Sequence, residues 1–181
     1  MHLIFRTIHA LLARIAPADF WRERTTWTMR VLPSDIDVAL HMNNGVYFSH
    51  FDLGRLRHLR AAGLFRVMRR RGWSMVASTE TIAFRKSLVL WARYQVTTEV
   101  LGVDAKNVYF RHNAVIDGEI YAQATVAIRF ISRRGALDLA DIFEVVGAPP
   151  AGTALPGWVS EWRSTTALPS PSKSAPFPPV A

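Results

Sequence analysis

Four strand-like segments follow one long helical segment in this chain, and this order limits the fold more than any other feature. The segments are rich in β-branched and aromatic residues, and from Leu90 to Val100 the side chains alternate with a period of two. Asp117-Gly118 predicts a tight hairpin between the last two segments, because glycine accepts the positive φ that a two-residue turn needs. The segments are WSMVASTETIAF, LVLWARYQVTTEV, NVYFRHNAVI and EIYAQATVAIRFI.

The helical segment runs from about residue 45 to residue 62 and follows a first strand, TTWTMRVL, that ends at Pro33. Its apolar residues fall on one broad face, with Arg57 and Arg60 away from that face. The next stretch, AAGLFRVMRRRG, extends or restarts the helix and ends it at Gly72. The order predicts a two-layer α+β fold, in which a single helix lies against a strongly curved antiparallel meander.

Three regions are expected along the chain. Residues 1–20 have apolar residues at helical spacing interrupted by Arg6, His9 and Arg14, which predicts an amphipathic helix rather than a secretory signal. This helix either docks on the domain or lies on a membrane surface. Residues 21–147 form the domain and include a short helix capped by Asp138. Residues 148–181 hold eight of the ten prolines, which predicts an extended and largely disordered tail in which two tryptophans are the exception.

Composition narrows the functional classes. The chain has 181 residues, no cysteine and no apolar run of the roughly 20 residues that a membrane-spanning helix needs, which favours a cytoplasmic protein. The formal charge of +8 comes largely from arginines on the long helix and at its end. A solvated helix face explains them, and attraction for phosphate-bearing small molecules or anionic lipid is the alternative. Because no nucleic-acid-binding motif is present, we expect no nucleic-acid partner.

The loop DIDVALHMNNGVYF, at residues 35–48, is the candidate functional segment. Part of it has a structural explanation, since Asn43 or Asn44 caps the helix and Asp35 forms a turn after Pro33. The alternative is a site for acyl transfer. The free N–H groups of a helix start can hold an oxyanion while a neighbouring carboxylate activates water or attacks directly.

The loop pattern Asp-x-Asp-x-x-x-His-x-Asn-Asn-x-x-Tyr resembles that of hotdog-fold acyl-CoA thioesterases of the 4-hydroxybenzoyl-CoA thioesterase-like type. Together with ETIAFRKSLVLW, the stretch RVLPSDIDVALHMNNGVYF is most similar to the thioesterase superfamily member six branch, and the resemblance extends from MHLIFRT to about Gly147. The residues that fill the pattern are Asp35, Asp37, His41, Asn43, Asn44 and Tyr47.

This resemblance implies a hotdog fold and hydrolysis of a thioester of coenzyme A or of acyl carrier protein, without a metal or redox cofactor. Asp37 would act as base or nucleophile, and His41 would orient it, polarise the carbonyl or carry a proton. A backbone N–H between Asn44 and Val46 would hold the oxyanion. The resemblance also implies a homodimer or a dimer of dimers with sites between protomers. The substrate-binding residues would be Asn43, Asn44, Gly45, Val46 and Tyr47, with Arg85 and Lys86 at the coenzyme A phosphates.

Two departures weaken the catalytic expectation. The plant acyl-carrier-protein thioesterases that the HMNN stretch resembles have an asparagine where this chain has Ala39 and a glutamate where it has Ser87. The alternative is a protein that binds acyl groups or membrane lipid with little or no catalysis. A metal site made of Asp35, Asp37 and His41 is the poorer idea, because no supporting cluster of ligands accompanies them.

Two pairs of charged residues have simple explanations as well. Asp52 and Arg55, three residues apart on the helix, predict a local ion pair, and support of the loop or of a dimer contact is the alternative. Arg85 and Lys86 at a strand end predict solvated charges unless they meet coenzyme A.

Overall fold

A computed structural model describes residues 3–168 of the chain. One antiparallel sheet of six strands occupies the centre of this part, with the order β1-β3-β4-β5-β2 and β6 paired to β5. The elements are α1 (Ile4–Leu12), β1 (Thr25–Arg30), α2 (Asn44–Ala61), α3 (Leu64–Arg71), β2 (Ser74–Phe84), β3 (Arg93–Val103), β4 (Val108–Ile116), β5 (Glu119–Ser132), β6 (Gly135–Ala136), α4 (Leu139–Val146) and α5 (Gly157–Thr166).

The strand order differs from the predicted meander in one respect. The strands β3, β4 and β5 follow one another as expected, but β2 pairs with β5 at the far edge, and β1 takes the place beside β3. Register shifts between Ala77 and Thr79, and between Val100 and Gly102, mark irregularities of the kind that increase strand twist. The sheet therefore curls around the long helix α2.

Local signals place most element ends where the sequence predicts them. Asp117 and Gly118 both have positive φ, 49° and 81°, as a two-residue hairpin turn requires. Gly63, with φ 75°, separates α2 from α3, and Gly72 ends α3. Asp138 caps α4 by accepting a hydrogen bond from the Ala140 N–H at 2.9 Å.

Two expected elements have different limits. Strand β3 begins at Arg93, whereas the predicted segment begins at Leu88, because Trp91 has φ 65° and turns the chain before the strand. The predicted extended tail contains α5, whose Val159 is buried in a cluster with Tyr109 and Ala127 of the sheet. Apolar contact with the sheet outweighs the tail's polar, proline-rich composition here. Residues 169–181 of the predicted tail lie outside the described residues.

Helix α2 is buried around most of its circumference, not on one face. The sheet covers one side and α1 the other, so Arg57 lies over the Trp27 ring at 5.0 Å instead of in solvent. Arg55 is buried as well and forms the predicted local ion pair with Asp52. Of the helical arginines, those of α3 are the exposed ones.

Gly54 allows α2 to lie directly on the sheet. A Cβ at this position would be 2.7 Å from Val96 Cγ1 and 2.8 Å from Thr98 Oγ1, which no side chain tolerates without movement of the helix or strand. The helix-to-sheet distance therefore depends on this glycine.

We expect Gly54→Ala to lower the free energy of unfolding by about 1–3 kcal/mol, because overpacking outweighs the gain in helix propensity. Gly157→Ala is the matched control, since a Cβ there meets nothing within 4 Å and the substitution should be neutral or stabilising. Urea-induced unfolding of both variants measures the difference. Equal stability of the two variants would contradict the close contact.

Two buried histidines link α2 to its surroundings. His112 Nε2 accepts from Arg55 Nη1 at 3.2 Å, because a guanidinium only donates, and its Nδ1–H donates to Thr98 Oγ1 at 3.0 Å. His58 donates its Nε2–H to the Phe20 carbonyl at 3.1 Å. Burial lowers the pKa of both imidazoles, and for His112 the positive charge of Arg55 lowers the pKa further.

This burial predicts a pH-dependent stability. Below the ordinary histidine pKa of 6.5 the unfolded chain binds protons that the folded chain excludes. The free energy of unfolding should therefore fall as the pH falls through and below that value, by up to about 1.4 kcal/mol per pH unit for each histidine. Urea unfolding between pH 7.5 and 5.5 measures the slope. His112→Gln should reduce this slope, and an unchanged slope in that variant would refute the assignment.

Candidate active site

The loop between β1 and α2 folds back on itself just before the helix start. The Asp37 N–H donates to the His41 carbonyl at 3.0 Å, and the Leu40 N–H donates to the Asp37 carbonyl at 3.0 Å. Ile36 and Met42 form an antiparallel bridge that closes the loop. Leu40 has φ 60°, an uncommon conformation for a residue with a Cβ, and such strain often accompanies functional sites.

Asp37 is held in a defined position in this loop. Its side chain is partly buried, and Oδ1 accepts a hydrogen bond from the Ala39 N–H at 2.9 Å. The side chain of His41 is exposed, and its backbone forms a bridge with Val89. Within residues 3–168, no hydrogen bond joins the two side chains, so a direct role of His41 in orienting Asp37 stays a prediction.

The start of α2 lies at the end of the same loop. Asn43 caps the helix, with its Oδ1 accepting from the Gly45 N–H at 2.9 Å, while its carbonyl accepts from the Val46 N–H at 2.9 Å. Two of the three N–H groups expected to hold an oxyanion therefore already have acceptors. Within the described part of the chain, the Asn44 N–H, the first amide of the helix, has none.

Val46 and Tyr47, expected at the substrate, are core residues instead. Tyr47 is 3% exposed, and its ring contacts Phe84 at 5.1 Å between centroids. Its hydroxyl accepts a hydrogen bond from the Leu88 N–H at 3.2 Å, and burial raises the pKa of the phenol. Val46 and Tyr47, in the first turn of α2, therefore attach the helix start to the core.

Arg85 and Lys86 follow β2, on the segment that passes the loop. Both are exposed and both bind Glu119, Arg85 at 2.5 Å and Lys86 at 2.6 Å. The next residues, Leu88 and Val89, contact Met42 and His41 through backbone hydrogen bonding. The two cations are therefore paired with Glu119, a few residues before the backbone positions that meet the loop, and their role at coenzyme A stays a prediction.

Asp35, two residues before Asp37, anchors the loop from inside the protein. It is fully buried, and Arg6 of α1 binds both carboxylate oxygens, at 2.8 and 2.7 Å. The Leu32 N–H donates to Oδ2 at 2.8 Å, and the Asp35 carbonyl accepts from the Asn43 N–H at 2.8 Å. One residue therefore connects α1, the loop and the cap of α2.

The electrostatics of this anchor favour the ionised carboxylate. Burial by itself would raise the pKa of Asp35, but the hydrogen bonds from Arg6 and the Leu32 N–H, together with the charge of His50, bring the pKa below its ordinary value. His50 Nε2 lies 3.8 Å from Asp35 Oδ1, and its Nδ1 is hydrogen-bonded to the Tyr94 hydroxyl.

Sequence reasoning missed Arg6 and His50, which contact Asp35, and Tyr94, which is hydrogen-bonded to His50. Arg6 only interrupted an apolar repeat, and His50 lay between two aromatic residues of a helix. The available signal was a polar residue on a helix face that also carries Tyr47 and Phe51. A buried polar residue needs a partner, but the sequence does not say which.

Arg6→Ala should destabilise the protein by about 3 kcal/mol, because it leaves a buried carboxylate without its cation. The control is Arg24→Ala, which breaks an exposed ion pair with Glu99 and should cost less than about 1 kcal/mol. Thermal and urea-induced unfolding measure both. Equal losses would show that the Asp35 anchor adds nothing to stability.

Exposed apolar side chains surround the loop. Val38, at the tip, is 102% exposed, and Leu40, Val89 and Trp91 are more than half exposed. Among the described residues, no cluster of three or more histidine, aspartate or glutamate side chains is arranged to hold a metal ion. Within the same residues, no helix has both the length and the apolarity to cross a bilayer.

A long helix held by a curled antiparallel sheet, with a loop at the helix start, defines the hotdog fold of thioesterases. The solved structure of the probable thioesterase YbaW from Escherichia coli matches 67% of this chain and 96% of its own, with a TM-score of 0.62 and 20% identity. The structure of the gentisyl-coenzyme A thioesterase BH1999 matches 68% of this chain and 100% of its own, with a TM-score of 0.62 and 15% identity.

Sequence comparison places the chain in a family. Residues 31–181 match the family described as the thioesterase-like superfamily, and the chain belongs to it. Protein THEM6 of Xenopus laevis is 36% identical over 121 residues, which are 66% of this chain and 58% of that protein. The chain thus spans less than two thirds of this curated relative. The expected fold and family are confirmed.

Proposed function

We propose that the protein hydrolyses acyl thioesters, with acyl-CoA as the substrate and Asp37 as the catalytic carboxylate. Membership of the thioesterase-like superfamily supports thioester hydrolysis in general. The observation that carries the proposal is the loop geometry. The Asp37 carboxylate is fixed by the Ala39 N–H in a closed loop that ends at the unbonded Asn44 N–H of the helix start.

The proposed chemistry uses these two groups. Asp37 either takes a proton from the water that attacks the thioester carbonyl or attacks that carbonyl itself. The Asn44 N–H and the positive end of α2 stabilise the oxyanion as it forms. Collapse of the intermediate breaks the C–S bond and releases the thiolate. When water attacks, the acid forms directly and the thiolate takes up the proton that Asp37 removed from the water. When Asp37 attacks, a mixed anhydride forms, and a water molecule then hydrolyses it to the acid and the free Asp37 carboxylate and supplies the proton for the thiolate. His41, exposed beside the loop, assists proton transfer to the leaving group.

The surroundings suit an amphiphilic substrate. The exposed apolar side chains Val38, Leu40 and Trp91 give an acyl group a surface to bury, while Arg85 and Lys86 supply cations for the coenzyme A phosphates. To bind phosphate the two cations would exchange Glu119 for the ligand. Exposed ion pairs of this kind contribute little to stability, so breaking them to bind phosphate has a small free-energy cost.

A homodimer is part of the proposal. Strand β2 has eleven residues, nearly all exposed or half-exposed, and among the described residues it pairs on one side only, with β5. A long unpaired edge favours pairing with another strand. A second copy at this edge would bring its own Arg85 and Lys86 toward the neighbouring site. We place this assembly in the cytoplasm, as expected from the sequence.

The test is release of free thiol from a panel of acyl-CoAs, followed with a thiol-detecting reagent. Asp37→Asn keeps an oxygen for the Ala39 N–H, so the loop is preserved while the charge is lost; we expect kcat to fall by a hundredfold or more. Asp138→Asn is the control, because asparagine also caps a helix and α4 lies outside the site. Wild-type activity in Asp37→Asn would refute the proposed role.

A second function, acyl-CoA binding without turnover, is favoured by one observation. Two of the three helix-start N–H groups are already hydrogen-bonded, so the oxyanion has a single backbone donor. Saturable binding of acyl-CoA, measured by calorimetry, without thiol release would identify a binding protein. Thiol release abolished in Asp37→Asn identifies the enzyme.

A further inference from the structure

Helix α1 presents an apolar face to solvent. Ile4, Phe5, Ile8 and Leu12 are 52%, 82%, 47% and 77% exposed, and their spacing puts them on one side of the helix. A helix that served only to cover the domain would turn these residues inward. Packing within the domain therefore does not explain why this apolar face is exposed.

The orientation of α1 is fixed by its polar contacts. Arg6 binds the buried Asp35 and the Arg30 carbonyl at 2.9 Å, and Arg60 of α2 donates to the carbonyls of Ala10 and Ala13. Ala10 is fully buried against the core. Rotation of the helix to hide its apolar face would break all of these contacts.

A basic groove of about 1350 Å³ lies between the end of α1 and α3. Its floor is apolar, with Leu11 and Ile15 from the α1 side and Phe65 and Val67 from α3. Arginines form its rim. Arg60 donates to backbone carbonyls of Ala10 and Ala13, and the other four form no ion pair within residues 3–168: Arg14, Arg66, Arg69 and Arg70.

We propose that α1 and this groove form a docking surface for a membrane that contains anionic phospholipid. The four apolar residues of α1 enter the boundary between headgroups and acyl chains, and the rim arginines bind lipid phosphates. We expect apolar insertion and phosphate binding both to contribute to membrane binding, because the surface has apolar side chains and arginines. We call the four apolar residues and the four arginines the docking surface.

Charge and apolarity together select this partner. A nucleic acid would satisfy the arginines but would leave Phe5 and Leu12 in water. A second copy of the chain placed on the same face would cover the apolar residues, but it would bring the unpaired groove arginines of the two copies together. An anionic bilayer satisfies the apolar residues and the cations at once.

Docking would also place the candidate active site relative to the membrane. Arg6 lies on the same helix as the apolar face, and it binds Asp35, two residues before Asp37. The docking surface and the site loop therefore share one rigid connection. This arrangement needs no hydrolysis, so its test is independent of the proposed activity.

Vesicle flotation with the full chain tests the proposal. We expect binding to vesicles of phosphatidylcholine mixed with phosphatidylserine, much weaker binding to phosphatidylcholine alone, and weakening as salt is raised. Phe5→Ser with Leu12→Ser should reduce binding at least tenfold. Arg66→Gln with Arg69→Gln and Arg70→Gln should reduce it about fivefold for each arginine removed. Neither set alters a buried side chain, so unfolding curves should match the wild type.

The matched control is Arg93→Gln with Lys106→Gln, which removes two exposed cations outside the groove and should leave binding near the wild-type value. Failure of the full chain to bind either vesicle, or equal binding by wild type and Phe5→Ser with Leu12→Ser, would overturn the proposal. Light scattering of the same variants tests the second-copy alternative. Loss of an oligomer in the apolar variant with unchanged vesicle binding would assign α1 to a protein interface and also overturn it.

Discussion

The ion pair between Arg6 and Asp35 is the contact on which the site depends. Asp35 is fully buried, and a buried carboxylate needs a cation or several hydrogen bonds to stay ionised. Arg6 supplies the cation from α1, the Leu32 N–H supplies a further donor, and the Asp35 carbonyl holds the N-cap of α2. The loop that carries Asp37 is therefore tied to two helices at a point two residues away. Its closed form follows from this anchor and from the backbone bonds between Asp37 and His41.

The need of buried polar groups for partners also explains other contacts in the interior. Helix α2 lies in the curled sheet at the distance that Gly54 permits, and some of the polar side chains buried there are hydrogen-bonded to the sheet. Arg55, for example, bonds to Asp52 on its own helix and to His112 on β4. These contacts use neutral imidazoles, so the interior that holds the helix in place is also sensitive to protonation.

The exposed surfaces are where we propose that partners bind. Three surfaces leave groups in solvent without a partner in the described part of the protein. The candidate site leaves one amide N–H, and the edge of β2 leaves the backbone amides of a strand. The docking surface leaves apolar side chains next to arginines. We have proposed a substrate, a second copy and an anionic membrane for them in turn. All three suit a protein that handles an acyl chain attached to a phosphate-bearing carrier, an amphiphile that itself partitions between water and lipid.

Local signals in the sequence determined the elements and most of their ends. The period of two, the Asp117-Gly118 turn, the glycines at 63 and 72 and the Asp138 cap act over a few residues, so each could be interpreted without knowing the fold. The loop pattern also identified the family and predicted the candidate site. Only the tertiary structure decided that β2 pairs with β5, that α5 packs on the sheet, that Arg57 is buried and that Arg6 neutralises Asp35. These outcomes join residues far apart in the chain, and a partner for a buried charge or a sheet edge is selected by proximity in the folded protein, which no local pattern encodes.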